Sequence, residues 1–548
     1  MPTDQIDSFR VICEGGLNTN ESTLILSQDR PGSATTLVNY ESAISGGYRR
    51  INGFVEFDPD FAEVGVGFAE GKILWVAYFV NTVTENNELF AARADIGGVE
   101  YQIYLYDPAL GWQPVAMATR LMSGTYSEVI KLRSVDFNFG SDNNLIVVDG
   151  VNPAIWYDGT TWTTLLSTAA GGPADPGGDQ ITDAPSLVTV FKGHIFLSGD
   201  MTPDGRARVV HSAPLLPDTW TAAAGGGQLF PGFDVVQIRP FRDELYVFGK
   251  RQIKKAIADL ASGFVLQDVT DDLGCLAADS VLEVGGNLIF LSQDGIRPIA
   301  GTDKINDIEL GLLSQDIQPI MDNMLNTTEF PLLDGVVVRK KTQFRYFWGG
   351  STSETIDSKG LIGCVRTNRR TGKTWEFGEL LGIRTSAVWS GLIDDREIVL
   401  HGDWNGIVYR QEQGSSFAGA NILSVYSTPF LDVGATDVRK LWREINTFIN
   451  AEGTANIFLG LTFDWDLGNT LTPANYIGLV SSGNTFYDDL ESIYDDSETL
   501  YGSDLRTILQ TKLQGSSFSV KFSFVNQGTD QSYTIQGFIP EYSIKGRN

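Results

Sequence analysis

Residues 142–162 read D-N-N-L-I-V-V-D-G-V-N-P-A-I-W-Y-D-G-T-T-W. Two short apolar runs, 145–148 and 154–157, are separated by Asp149-Gly150 and closed by Asp158-Gly159 ahead of a Trp. Gly reaches positive φ at little steric cost, Asp tolerates turn geometry, and β-branched and aromatic side chains fit a half-buried pleated surface. The stretch therefore predicts a β-hairpin. Looser versions recur along most of the chain, and the recurrence predicts a repeat architecture.

The repeats begin near Val64. Residues 72–79 and 101–106 are strands, the second closed by Asp107-Pro108 and Gly111-Trp112. Residues 187–197 repeat the strand–turn–strand form. Residues 238–248 turn at Arg242-Asp243, and 281–291 turn at Gly285-Gly286-Asn287. Residues 336–348 and 361–377 make a further pair, and 388–408 end the series. The spacing, roughly 40–60 residues, brackets that of propeller blades, small antiparallel sheets that bury both faces only by packing radially around a channel. The expected fold is an all-β propeller of about six blades, with room for a seventh; a series of β-sandwiches is the competing architecture. The Gly/Pro/Asp-rich residues 169–185 and the Ala/Gly run 221–228 read as inserted loops, and residues 316–325 as helical turns. A composition shift near residues 414–420 divides the chain into a strap (1–60), a propeller (61–415) and a C-terminal β-sandwich or barrel module (416–548).

The bulk numbers exclude several classes. Hydrophobic residues are 42% and charged residues 20% of the 548, too apolar for extended disorder. Against 68 acidic residues stand 40 basic ones, a net charge of −28 that opposes adhesion to nucleic-acid phosphates or anionic membranes and favours solubility. Cys13, Cys275 and Cys364 are odd in number and far apart, which suits buried free thiols of a reducing compartment rather than disulfides or zinc. The start, M-P-T-D-Q-I-D-S-F-R, lacks the regions of a secretory signal, and no apolar run reaches the ~18–20 residues of a membrane span.

No stretch carries a catalytic signature. Gly372-Lys373-Thr374 lacks the earlier Gly of a phosphate loop, since position 367 is Thr. Residues 366–375 end like the aspartate-box turn of sialidase-like propellers, but Arg370 occupies the acidic position and Asn368 the Ser position. His194, His211 and His401 fall in separate repeats without ligand spacing, so neither a metal nor another cofactor is expected. The acidic run 487–498, containing Asp488, Asp489, Asp495 and Asp496, lacks the Gly and terminal Glu of a calcium loop and reads as a solvated surface. The expected chain is not an enzyme.

The strap has its own grammar. Gly15-Gly16-Leu17, Pro31-Gly32-Ser33, Leu37-Val38-Asn39-Tyr40-Glu41 and Gly46-Gly47-Tyr48-Arg49-Arg50-Ile51-Asn52-Gly53 set Gly and Pro-Gly turns between short apolar runs. These residues resemble the leader of the tail nozzle (tail tubular, or hub) proteins of short-tailed bacteriophages, and the strand–Asp-Gly–strand–Trp repeats resemble their blades. The resemblance extends to Arg439-Lys440-Leu441-Trp442-Arg443, Phe463-Asp464-Trp465-Asp466 and Ile544-Lys545-Gly546-Arg547 in the C-terminal module. It implies a virion protein, made in the host cytoplasm, that forms a ring of six copies below the portal and adaptor and meets tail fibre or tailspike proteins. The genome would pass through the ring without specific binding, with Asp488, Asp489, Asp495 and Asp496 facing the lumen and Arg49 and Arg50 anchoring the strap. The chain is shorter than the largest nozzle proteins. The alternative reading is a glycan-binding or glycan-degrading β-propeller or tailspike-like protein, which eleven Trp and 11% aromatic residues would suit.

Overall fold

A computed structural model describes residues 6–58, 71–95, 97–115, 119–122, 131–140, 142–165, 184–200, 205–259, 263–299, 311–327, 333–348, 359–368, 372–393, 395–451, 455–464, 477–481, 508–529 and 531–545. The opening stretch shows why the chain forms a propeller. Leu145 and Val147 pack with Trp75 and Phe90 of the preceding sheet, whereas Ile146 and Val148 pack with Ile195 and Leu197 of the following one. Successive side chains leave opposite faces of a strand, so an unbroken apolar run is what a sheet buried on both faces requires. Each fully buried Val, Leu or Ile contributes about 1.5–3 kcal/mol.

The same logic closes a ring. Five four-stranded blades, one five-stranded blade and one three-stranded blade make up the ring among the described residues. Their first strands are Ile73–Asn81, Arg133–Asn138, Leu187–Phe191, Gln237–Phe241, Leu282–Val284, Asp334–Val338 and Ala387–Ile393. An apolar cluster spans each neighbouring pair, and the last joins Ala387, Leu400 and Val408 to Ile73, Val76 and Trp112 of the first blade. The expected propeller is present, and its seventh place is filled by the three-stranded sheet. Residues 221–228 are not an inserted loop: the 3-10 turn Ala222–Ala224 leads into Gly227–Leu229, the outer strand of the third blade. The turn Asp149-Gly150 is wider than a two-residue hairpin, because the Asp149 carboxylate accepts the Val151 and Asn152 N–H groups and spreads the link over six residues. The helix Gln318–Thr327 falls where helical turns were expected.

Outer strands are where the strap enters. Phe54–Glu56 pairs antiparallel with Val408–Gln411 as the fourth strand of the last blade. Thr36–Val38 pairs on one side with Gly372–Leu381, the outer strand of the sixth blade, and on the other with Ile422–Ser427. A blade and one sheet of the C-terminal module thereby become a single nine-stranded sheet. The facing eight-stranded sheet takes in Ile6–Ser8, Val11–Ile12, Tyr40–Ser42 and Tyr48–Arg50 of the strap around Lys440–Ala451 and Tyr533–Ile544. Between the two sheets lie Trp442, Phe522, Phe524 and Phe538 together with Val11, Cys13, Leu37, Tyr40 and Tyr48 of the strap. The module is a sandwich, and the strap supplies part of its core. About two turns of helix, Thr23–Asp29, interrupt the strap between its Gly15-Gly16 and Pro31-Gly32 turns.

All three cysteines are buried and free, and no described helix is long and apolar enough to cross a membrane.

The strap glycines sit at close approaches. A Cβ on Gly53 would lie 1.9 Å from the Ser416 carbonyl oxygen, and one on Gly32 would lie 1.6 Å from that of Ile12. Gly53→Val is expected to cost at least about 2 kcal/mol, whereas Ile44→Thr at an exposed strap position should change stability by less than about 0.5 kcal/mol. Urea midpoints of the two variants check this.

Candidate functional site: the strap junction and the channel

Where the strap crosses the sixth and seventh blades it brings a carboxylate into the interior. Glu41 is 3% exposed and accepts bonds from Lys341 Nζ at 2.7 and 3.0 Å, Gln343 Nε2 at 3.1 Å and Arg49 Nη1 at 3.3 Å. Arg345, 1% exposed, donates from Nε to Gln343 Oε1 at 2.9 Å, from Nη1 to Gln411 Oε1 at 3.0 Å, and from Nη2 to Glu412. Lys341 also pairs with Glu412, and Asn52 Nδ2 reaches Glu412 Oε2 at 3.0 Å. Burial works to raise the Glu412 pKa, but Arg345 and Lys341 outweigh it and hold the carboxyl well below the usual range.

Arg49 and Arg50 lie on the same strand and point apart. Arg49 faces Glu41 and Ser532. Arg50 is fully buried and donates to four main-chain carbonyls, those of Ser415, Ile422, Gly528 and Gln531, as well as to Ser424 Oγ at 3.3 Å. Nearby, Tyr48 Oη donates to the Gly32 carbonyl at 2.9 Å and accepts the Gly16 N–H at 3.0 Å. Tyr40 and Tyr533 share a hydroxyl contact of 2.6 Å. Asp488, Asp489, Asp495 and Asp496 lie outside the described residues.

The propeller axis holds a cavity of about 590 Å³ lined from all seven blades, for example by Trp75, Arg133, Val188, Arg239, Glu283, Val337 and Trp389. Its wall is tied across the ring. Lys131 donates to Asp279 Oδ2 at 3.2 Å, Asp334 Oδ1 at 2.7 Å and the Leu333 carbonyl at 2.7 Å, while Arg133 grips both Asp279 oxygens at 2.9 Å. Burial favours the neutral Asp279, yet Arg133 and Lys131 keep it ionised far below its ordinary pKa. This links the second, fifth and sixth blades. Arg239 stands in the same cavity, its pKa lowered by burial and by Arg339 despite Glu283.

No group of three metal-ligating side chains occurs among the described residues. His194 and His211 share the third blade, packed edge to face at 5.3 Å with Phe264 against both. They are therefore not in three separate repeats, a correction that follows from one blade holding both strands. His401 lies in the seventh blade, its Nδ1 accepting Gln411 Nε2 at 3.2 Å. The Asp158 carboxylate accepts the N–H groups of Thr160 at 2.8 Å and Thr161 at 2.7 Å; these bonds outweigh burial and bring its pKa to about 2. It is a turn-former.

Sequence reading missed the Glu41–Lys341–Arg345–Glu412 network and the Lys131–Asp279 pair. The available signal was a lone charge inside an apolar strand, as in Gln343-Phe-Arg345-Tyr-Phe-Trp348. Such a charge is buried only with a partner, though the partner's position needs the fold.

No family model matches the chain, and no curated protein matches it. Among solved structures, similarity is found to the extracellular domain of a hybrid two-component system of B. thetaiotaomicron, at 10% identity and a TM-score of 0.34 over 67% of this chain and 40% of that one. An ancestral GH74 enzyme gives 10% identity and a TM-score of 0.34 over 69% of this chain and 50% of that one. Kluyveromyces lactis Hsv2p gives 9% identity and a TM-score of 0.27 over 53% of this chain and 81% of that one. The matched region thus spans less than two thirds of the first two proteins, and likeness this remote carries no functional argument.

Two outcomes are expected. Arg345→Met leaves Glu41 and Glu412 short of a buried partner and should cost about 3–5 kcal/mol in urea unfolding, against less than about 1 kcal/mol for Arg30→Ala at the surface pair with Asp316. The second concerns acid. Burial, with the Arg345 charge adding to it, holds His401 at about 3, and burial, helped by His194 and opposed by the Ser212 carbonyl, holds His211 at about 4. An unfolded His titrates near 6.5, so on acidification the unfolded chain takes up protons first and stability falls. From pH 6.5 to 5 the loss should steepen from about 0.7 toward about 1.4 kcal/mol per pH unit for each of the two, and His211→Gln should halve that slope in urea midpoints.

Proposed function

We propose that the chain is a structural subunit of the tail nozzle of a short-tailed bacteriophage, one copy in a ring of six around the path by which the genome leaves the virion. The observation that carries the reading is the use made of the leader. The Gly15-Gly16, Pro31-Gly32 and Gly46–Gly53 segments that bear the resemblance are where the strap meets the sixth blade, the last blade and the sandwich. Their role is to make propeller and sandwich one rigid block, as a load-carrying ring subunit needs. The propeller's own cavity has the volume of a small-ligand pocket, so the genome path belongs between copies and not along the blade axis. Net charge of −28 suits a wall past which DNA slides, because phosphate contacts along it would hold the genome back.

A glycan-binding or glycan-degrading propeller is the second reading. Trp75, Trp112, Trp220, Trp348 and Trp442 are buried and no described Trp is exposed, which leaves little indole surface for a saccharide platform.

Mixing purified chain with portal–adaptor particles should add six copies per particle, seen as a ring by electron microscopy. Virions carrying Lys at Asp488, Asp489, Asp495 and Asp496 should then release DNA more slowly. A chain that ignores those particles and liberates oligosaccharides from host polysaccharide would overturn the nozzle reading in favour of the second.

A further inference from the structure

A second cavity, about 420 Å³, lies between the seventh blade, the strap and the first strand of the sandwich. Four aromatic rings form one part of its wall. Phe54 stacks on Phe417 at 4.9 Å and meets His401 and Tyr409 edge-on at the same distance, and His401 stacks on Tyr409 at 5.0 Å. Its polar groups come as both donors and acceptors. Arg384 is 9% exposed, and among the described residues its Nε has no hydrogen-bond partner. The nearest carboxylate, Asp403, stands 3.7 Å from that nitrogen, beyond hydrogen-bond reach, and uses Oδ1 to accept the Trp404 N–H at 2.5 Å. His401 is oriented from behind. Arg345 donates to Gln411, Gln411 donates to His401 Nδ1, and the ring proton is left on Nε2. Asn405 and Asn421 stand exposed at the rim.

A buried guanidinium nitrogen without an acceptor is costly, and a ligand oxygen repairs it. Arg384 and Asp403 cancel in charge, so the pocket calls for a neutral group that both accepts and donates. Aromatic walls call for a flat, partly apolar ring. We propose that this pocket binds one saccharide unit, with ring hydroxyls bridging Arg384 and Asp403 and the sugar face against the aromatic wall. The site is independent of ring assembly, and either reading stands without the other.

The test is calorimetric titration of the full chain with D-glucose, D-galactose, D-mannose and D-glucuronate, with glycerol as a polyol lacking a ring. Saturable binding of at least one neutral hexose, with Kd near 1 mM, is expected, and glycerol should give none. Arg384→Gln should weaken it at least tenfold. Because Arg384 is buried, Asn421→Trp at the exposed rim gives a second variant; it should abolish binding while leaving the melting temperature unchanged. Absence of saturation by every hexose would overturn the proposal, as would unchanged binding in Asn421→Trp. Binding of glucuronate alone would also overturn it, pointing to an anion site at Arg384 instead.

Discussion

One buried carboxylate sets the terms for the rest of the molecule. Glu41 enters the protein interior on an extended strap and is out of water. A charge there is tolerable only if cations meet it, and Lys341, Arg345 and Arg49 do so from a blade and from the strap itself. The arrangement discriminates more than it stabilises: a strap displaced by two residues would leave Glu41 and Arg345 unpaired, whereas apolar residues would tolerate the slip. Glu412, at the far side of the network, belongs to the segment that leads from the last blade to the sandwich. The ion cluster therefore fixes the register of strap, propeller and sandwich at one point.

A propeller must solve the problem of its seam, where first and last blades meet without a covalent link. Here the seam is closed by Phe54–Glu56 serving as the outer strand of the last blade. The same strap then continues in the opposite sense, as Thr36–Val38, into the sixth blade and the sandwich. Closure of the ring and attachment of the C-terminal module are thus one event, carried by about twenty residues whose glycines allow main chain to touch main chain.

Much of this was legible in the sequence. Residues 142–162 announced blades because successive residues of a sheet buried on both faces are all apolar. The run 221–228 misled because Ala and Gly carry no strand signal, while the strand there is held by pairing with Val209–His211. The strap's turns were visible in its glycines, but their partners, such as Ser416 and Ile535, are hundreds of residues away. The saccharide-sized pocket was invisible for the same reason: Phe54, Arg384, His401 and Phe417 are unremarkable singly, and only the seam brings them together.

The strap also dictates a schedule. Tyr40 and Tyr533, whose hydroxyls touch, are 493 positions apart, and Ile6–Ser8 pairs with Tyr533–Ile544. Interior blades can collapse as they leave the ribosome, because their contacts are local. Tyr40 cannot settle until Tyr533 is available, a delay of about 25–100 s at about 5–20 residues per second. During that time the strap strands Ile6–Ser8, Val11–Ile12 and Tyr48–Arg50 lack their partner, and their open edges invite strands from other copies being synthesised nearby. Crowding of nascent chains is thus a hazard peculiar to this topology, and rapid release of finished chains is its remedy.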